Sequence, residues 1–277
     1  MGNLEQQENW NGPGGQSWVR YQERIDRAVQ AFSAAVLQRL GARSSESIID
    51  VGCGAGTTTL ALAHAVGENG KVLGLDFSEP LLDLARKRCA ALPQVSLQQG
   101  DAGQPRTERD FDALFSRFGV MFFDQPSIAF ANLRRCLREG GRLTFLCWQG
   151  RDNNPWVSQP MACLLPFLPE TPPPPAPHAP GAFGLADKDY TRAVLSEAGF
   201  KNIEIDPLTM DMTLGTEGVP SAVDFNMKLS PAAHLTKDLP PSTVKKIEAA
   251  FTELFEQHES QGHVTLPGSA WIVTGRV

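Results

Sequence analysis

The sequence predicts an α/β chain built on a mostly parallel sheet with helices on both faces. Three observations carry that expectation. Short, nearly all-apolar runs alternate with amphipathic segments from Ser47 to Cys147. A glycine-rich turn, Gly52-Cys53-Gly54-Ala55-Gly56, follows the first run. Acidic residues close the first three runs, at Asp50, Asp76 and Asp101. Strand–helix alternation implies crossover connections and hence parallel strands. Strands covered on both faces read as near-continuous apolar runs, as these do.

The elements follow in order. Residues 1–16 are polar and Gly-rich and read as irregular, with Trp10 an unexpected apolar residue among them. Trp18, Tyr21, Ile25, Ala28, Val29, Phe32, Ala35, Val36 and Leu40 recur at three- and four-residue steps, which predicts one helix, with Gly41 at its C-cap. Ile48–Val51, Val72–Leu75, Val95–Leu97, Ala113–Phe115 and Leu143–Cys147 read as strands. Thr57–Ala65, Pro80–Leu92 (with Ser78 as N-cap) and Pro126–Leu137 read as the helices between them. Residues 151–184 hold ten prolines, including Pro172–Pro175, and read as a loop or lid without helix or strand. Asp187 caps a helix to Ala198, and Gly199 ends it. Alternation over residues 203–214 predicts a strand, residues 220–229 and 241–258 read as helices, and a last strand spans about Ala270–Thr274. The whole reads as one domain: a cap at 1–44, a ligand-binding core at 45–150, a Pro-rich lid at 151–184, and the rest of the sheet with a helical insert at 185–277.

Composition narrows the function classes. The 277 residues are 42% hydrophobic and 20% charged, a globular balance. A net charge of −6 argues against a protein that tracks nucleic-acid backbone. No apolar run approaches the ~18 residues needed to span a bilayer. Gln6 stands where an N-acylation signal requires Ser or Thr, and no signal peptide follows, so the expectation is a cytoplasmic protein. Five cysteines, Cys53, Cys89, Cys136, Cys147 and Cys163, are odd in number and widely spaced. They read as buried small hydrophobes, and no metal is expected.

The informative segment is Ile48 to Thr58: strand, glycine turn, helix. Glycines let the chain turn sharply and let a ligand lie on the backbone. The helix beyond presents unpaired N–H groups. The spacing is G-x-G-x-G, and Thr57 replaces the third glycine of the dinucleotide fingerprint G-x-G-x-x-G. Asp50 would repel a pyrophosphate at the helix N-terminus, and it suits a cationic ligand. S-adenosylmethionine carries a sulfonium and an ammonium and no phosphate. Asp76, 24 residues after Gly52, stands where an acid accepts both ribose hydroxyls. Asp101 is placed to accept from an adenine amine, with the Ala102 N–H facing a ring nitrogen and Phe77 packing on the adenine face.

These residues resemble the class I S-adenosylmethionine-dependent methyltransferases, in particular the small-molecule group similar to the ubiquinone and menaquinone methyltransferases. The resemblance rests on Asp50–Gly56, Gly74–Ser78, Gly100–Ala102, Phe111–Ser116 and Leu137–Leu143, and covers roughly residues 45–150. It implies a Rossmann-like, seven-stranded sheet with an antiparallel last strand. It also implies S-adenosylmethionine as cofactor, S-adenosylhomocysteine as product, and contacts from Gly52 and its neighbours (Cys53, Gly54, Gly56, Thr57) to the methionine part. Asp76 would hold the ribose, Asp101 and Ala102 the adenine, and Ser116 falls at a frequent fourth-strand contact.

Two departures bear on the acceptor. Arg117-Phe118-Gly119-Val120-Met121 follows the fourth strand in place of the Asn/Asp-Pro-Pro-Tyr/Phe that holds planar nitrogens, which disfavours nucleic-acid adenine methylation. Cys147 to Trp156 differs from the quinone-methylating members, so quinone identity does not carry over.

The expected reaction is methyl transfer to a small, largely apolar molecule, at carbon or oxygen ahead of nitrogen. Arg117, Phe118, Met121, Trp148, Trp156 and Phe183 are the acceptor-side candidates, each with core packing or a local ion pair (Arg117 with Asp112 or Asp124) as the alternative. Trp18, with Tyr21, is placed to close over the cofactor. No residue stands out as a general base; Arg117 and His178 are the weak catalytic candidates. The rival readings are a non-catalytic S-adenosylmethionine-binding module and an NAD(P)-dependent oxidoreductase.

Overall fold

The computed structural model describes residues 3–230 and 232–277. Its strands are β1 (Ser47–Val51), β2 (Lys71–Asp76), β3 (Val95–Gln99), β4 (Phe111–Arg117), β5 (Leu137–Trp148), β6 (Lys201–Gly215), β7 (Glu259–Ser260) and β8 (His263–Arg276). The sheet runs β3-β2-β1-β4-β5-β8-β6, with the two-residue β7 paired to β8 off this path. β1 to β5 are mutually parallel, and β8 is antiparallel to both β5 and β6. Chain order reverses at β1, which lies between β2 and β4. A crevice opens beyond the carboxyl ends of the strands at such a reversal.

Burial explains the strands. Ile48, Ile49, Asp50 and Val51 are all buried, as are Ala113 to Ser116 and Leu143 to Trp148. The crossover helices are α5 (Thr57–Val66), α6 (Glu79–Cys89) and α7 (Pro126–Arg134). Ser78 caps α6, its Oγ accepting from the Leu81 N–H at 3.4 Å. Asp187 caps the helix Lys188–Glu197, accepting from the Asp189 and Tyr190 N–H groups at 2.8 and 3.1 Å.

The structure differs from expectation at both ends of this core. Residues 3–16 are not irregular: they lie in α1 (Asn3–Asn11) and the start of α2 (Pro13–Arg20). α1 lacks an apolar stripe, and tertiary bonds hold it: the Ser78 hydroxyl donates to the Trp10 carbonyl at 2.6 Å, and the Asn11 amide bonds to Phe77 and Glu79 backbone. Tertiary context outweighs local propensity here. Met1 and Gly2 lie outside the described residues. The single helix expected through Trp18–Leu40 is broken at Tyr21 and Val29, where ψ is 15° and 17°. Beyond α2 it becomes α3 (Gln22–Ala28) and α4 (Gln30–Leu40), which ends on left-handed Gly41.

The Pro-rich segment is also a correction, because it contains a helix, α8 (Pro155–Leu164). Pro155 sits in the first turn, where no N–H is needed. Pro160 removes one interior hydrogen bond. Burial of Val157, Pro160 and Leu164 against β8 and the helix Pro241–Glu256 offsets that loss. From Leu168 to Asp187 the segment has neither helix nor strand, as expected. The remaining helices are α9 (Lys188–Glu197), α10 (Gly218–Leu229), α11 (Ala232–Thr236) and α12 (Pro241–Glu256). The short α11 and β7 were not expected, and β8 is far longer than the predicted 270–274. Among the described residues no helix is long and apolar enough to cross a membrane.

Candidate cofactor and acceptor site

The turn after β1 is wound by left-handed glycines, Gly52 (φ +67°), Gly54 (+53°) and Gly56 (+80°). The Gly52 and Cys53 N–H groups both donate to the Leu75 carbonyl, at 2.8 and 3.1 Å. Cys53 thus contributes backbone; its side chain is buried, and burial pushes its thiol pKa well up. A Cβ on Gly52 would lie 2.6 Å from the Gly119 Cα, so the loops after β1 and β4 touch through backbone. A Cβ on Gly54 would meet nothing within 4 Å. The turn therefore leaves an open backbone cradle at Gly54.

Two carboxylates, Asp50 and Asp76, adjoin this cradle, and a third, Asp101, follows β3. Asp50 is fully buried; its Oδ2 accepts from the Thr58 and Thr59 hydroxyls at 2.8 and 2.7 Å, while its Oδ1 has no partner. Burial pushes its pKa up to about 6, against the pull of the two threonine hydroxyls. Asp76 accepts from the Gly54 N–H (Oδ2, 2.7 Å) and the Ser78 N–H (Oδ1, 2.8 Å). Burial raises its pKa too, opposed by these N–H donors. Each oxygen retains a lone pair, the capacity a ribose diol requires. Asp101 folds back on its own turn, accepting from the Gly103 N–H at 2.8 Å, and Ala102 beside it is buried. An unpartnered buried anionic oxygen, an open glycine cradle and two strand-end carboxylates fit a cationic nucleoside such as S-adenosylmethionine. Phe77 is half-buried; its carbonyl accepts from Asn11 at 3.0 Å.

Sequence reasoning missed the polar cluster at the start of α5. Asp26 of α3 accepts from the Thr57 hydroxyl and the Gln22 amide, and pairs with Arg117 at 3.1 Å and Arg88 at 3.9 Å. Arg88 also donates to Thr57 Oγ1 (2.9 Å) and the Ala55 carbonyl (2.7 Å), and Arg117 donates to Ser33 Oγ (3.0 Å). Arg117 thus pairs with neither Asp112 nor Asp124. Asp112 lies at the opposite end of β4, bonded to Arg138 and the Ser47 N–H. The only sequence signal for Asp26 is its four-residue spacing from Gln22 on one helix face. The N-terminal helices are therefore anchored at two points of the crevice, by Asn11 and Trp10 at the β2 end and by Asp26 at the β1–β4 end. Trp18 is 40% exposed and packs edge-on against Trp10, which in turn packs on Phe122.

Ser116 is committed within the fold. Its hydroxyl donates to the Val51 carbonyl at 2.7 Å and accepts from the Gly119 N–H at 3.1 Å, tying the ends of β1 and β4 together.

The structure brings several acceptor-side candidates together. Phe118 stacks on Trp148 (4.1 Å, 12°), and Trp148 meets Trp156 (5.1 Å) and Phe32 (5.1 Å). The Met121 sulfur accepts from the Trp148 N–H at 3.4 Å. Asn154, fully buried, accepts from the Trp156 indole at 3.0 Å and so fixes that ring. Phe118 has φ +63°, a strained conformation for an aromatic residue that costs about 1–3 kcal/mol. Phe183 lies apart from this stack under the Arg151 guanidinium, 5.4 Å from its ring centre. His178 is exposed and stacks on Tyr190 of α9 at 3.8 Å, a surface arrangement.

Residues 48–141 match a family model described as a methyltransferase domain. The chain is 28% identical over 183 residues to the demethylmenaquinone methyltransferase of Staphylococcus aureus, covering 63% of this chain and 76% of that one. Its fold is shared with the YcgJ protein of Bacillus subtilis (TM-score 0.58, 16% identity, 88% of this chain and 97% of that one). It is also shared with a phosphoethanolamine N-methyltransferase of Haemonchus contortus solved with phosphomonomethylethanolamine and S-adenosylhomocysteine (TM-score 0.52, 15% identity, 89% of this chain and 52% of that one). Fold, glycine cradle and carboxylates are together those of an S-adenosylmethionine-dependent methyltransferase, similar to the class I enzymes. Within that class the chain is similar to the quinone methyltransferases.

Proposed function

We propose that this enzyme methylates a small, largely apolar acceptor in the cytoplasm, at carbon or oxygen rather than nitrogen. The observation that carries the reading is the aromatic group of Phe118 just after β4, Trp148 at the end of β5 and Trp156 in α8. Its one indole donor with a defined partner, that of Trp156, is already bonded to Asn154. That wall favours an apolar acceptor.

In this reading Asp76 holds the ribose diol and Asp101 with Ala102 the adenine edge, with Phe77 on the adenine face. Gly52, Cys53, Gly54 and Gly56 offer backbone to the methionine part. Asp50 and Asp26 supply negative charge to its ammonium, and Thr57, Arg88 and Arg117 supply donors to its carboxylate. Trp18 covers the crevice from the cap, and Ser116 keeps β1 and β4 in register beneath it. When bound, S-adenosylmethionine supplies an electrophilic methyl group on a sulfonium. The protein's share is to hold the acceptor in line and keep water out, which supplies much of the rate through orientation. Phe118, Met121, Trp148 and Trp156 do this for the acceptor. An acceptor that is ionised near neutrality needs no base, and a neutral phenol or enol loses its proton to solvent as the methyl group is transferred; Arg117 is a cofactor-side group rather than a proton carrier.

The test is turnover with labelled S-adenosylmethionine on a panel of phenols, enols and amines. We expect methylated phenols or enols. Methylation confined to amines, or tight NAD(P)H binding without S-adenosylmethionine binding, would overturn the proposal.

A further inference from the structure

β5 ends at Trp148, opposite Ala270 of β8, and beyond that point this edge of β8 needs other partners. A side chain completes the next rung. The Gln149 N–H donates to the Ser269 carbonyl at 2.9 Å, as a strand residue would. The Ser269 N–H finds Asn154 Oδ1 at 2.8 Å, and Asn154 Nδ2 donates to the Gln149 carbonyl at 3.0 Å. A carboxamide carries both a donor and an acceptor, as a peptide group does, so it fits the ladder where the chain has turned away. Nδ2 also reaches the Gly150 and Ser269 carbonyls, both at 3.1 Å. Asn154, Gln149 and Ser269 are all buried, so water does not replace these bonds when one is lost.

Asn154 gives up another bond to do this. It stands at the N-cap of α8, where an asparagine side chain ordinarily accepts from the N–H of the second or third helical residue. No such cap bond forms here. Oδ1 accepts instead from the Trp156 indole N–H at 3.0 Å. Closing the ladder accounts for every side-chain bond of Asn154 except that one. The indole bond sets the rotation of a half-buried ring that packs on Trp148 at 5.1 Å and 47°.

We infer that Asn154 is a positioning residue for methyl transfer: it ties the Trp156 ring to the last rung of the β5–β8 ladder, so the acceptor wall stands formed before the acceptor arrives. The first turn of α8 is then a fixed wall and does not swing open as a lid. The inference rests on the acceptor-side reading above and deepens it.

Two measurements test it. In nitrogen-15 spectra of the protein with S-adenosylhomocysteine and no acceptor, the Trp156 indole N–H, assigned by its absence from Trp156→Phe, should exchange slowly with solvent. Asn154→Ala should speed that exchange. The second measurement is kinetic, with the phenol or enol of the panel above that is methylated fastest. Asn154→Ala should raise its KM about fivefold, the weight of one buried hydrogen bond, with the KM for S-adenosylmethionine unchanged. Made in a Trp156→Phe background, the same substitution should leave the acceptor KM nearly where it was, because the bond it removes is already gone. If Asn154→Ala does not fold, Asn154→Ser, with a hydroxyl one bond shorter, carries the same comparison. Fast indole exchange in the parent, an equal KM effect in both backgrounds, or a fall in kcat with both KM values unchanged would reduce Asn154 to a rung of the ladder and overturn the inference. Failure of the parent to methylate any phenol or enol would overturn the proposed function, and the positioning role with it, whatever the indole spectrum shows.

Discussion

Asp50 ends β1 away from solvent, with one carboxylate oxygen bonded to two threonines and the other to nothing. Its folded pKa, about 6, lies above the ordinary value of 3.8. The native state therefore binds this proton more tightly than the unfolded chain does. The associated stability is present in full below about pH 3.8 and is lost as pH rises through about 6. A shift of about two units corresponds to roughly 3 kcal/mol. Asp50→Asn cannot titrate, so the parent should lose about that much stability relative to the variant between pH 4 and pH 7, measured by denaturant unfolding at each pH. Parallel pH profiles for the two proteins would show that Asp50 is ionised in the fold without cost. Asp50, Asp76 and Asp101 were legible in the sequence because each closes an apolar run beside a turn. Asp26 was not, because its partners Thr57, Arg88 and Arg117 lie 31 to 91 residues away.

The N-terminal cap shows the same limit at the scale of elements. α1 is nine residues, mostly polar, and a helix that short is marginal in water on its own. It persists because Asn11 bonds to Phe77 and Glu79 and because Ser78 bonds to the Trp10 carbonyl. None of those bonds is visible in residues 1–16 read alone. Few contacts hold α1, so it belongs to the least stable part of the fold. Amides of residues 3–20 should exchange with solvent well before those of β1 and β4, and S-adenosylhomocysteine should slow them. Asn11→Ala should speed that exchange and leave the melting temperature nearly unchanged. Exchange of the cap at the global rate would mean that it unfolds only with the core. α8 is the opposite case: its prolines masked a helix because one sits in the first turn and the other lies on a buried face.

Across the whole molecule, the two ends of the sheet divide the work. At the amino end Arg142 grips both oxygens of Glu46 at 2.7 Å, and Asp112 joins Arg138 to the Ser47 N–H, fastening β5 and β4 to the start of β1. At the carboxyl end the polar groups cluster around the cradle, most of them bonded to one another and the Asp50 Oδ1 without a partner, where the proposed function puts the ligand. Ligand binding to the folded state alone should therefore stabilise the chain as a unit. S-adenosylhomocysteine at about 100 times its Kd should contribute about 2.7 kcal/mol, a rise in melting temperature on the order of 5–10 °C. NADPH at the same concentration should produce no rise. An equal rise with NADPH would reject the discrimination assigned to Asp50.

The sequence by itself determined the parallel core, the glycine turn and the three strand-end acids, because hydrophobic period, turn chemistry and strand ends are local properties of the chain. Only the tertiary structure decided that Arg117 turns to Asp26, that Asn11 reaches the end of β2, that β8 runs 14 residues between β5 and β6, and that Phe118 is held left-handed against Trp148. Each of these depends on which distant segments the topology brings to one sheet edge. A charged or aromatic side chain on a short helix or turn carries no local mark of the partner it will meet there.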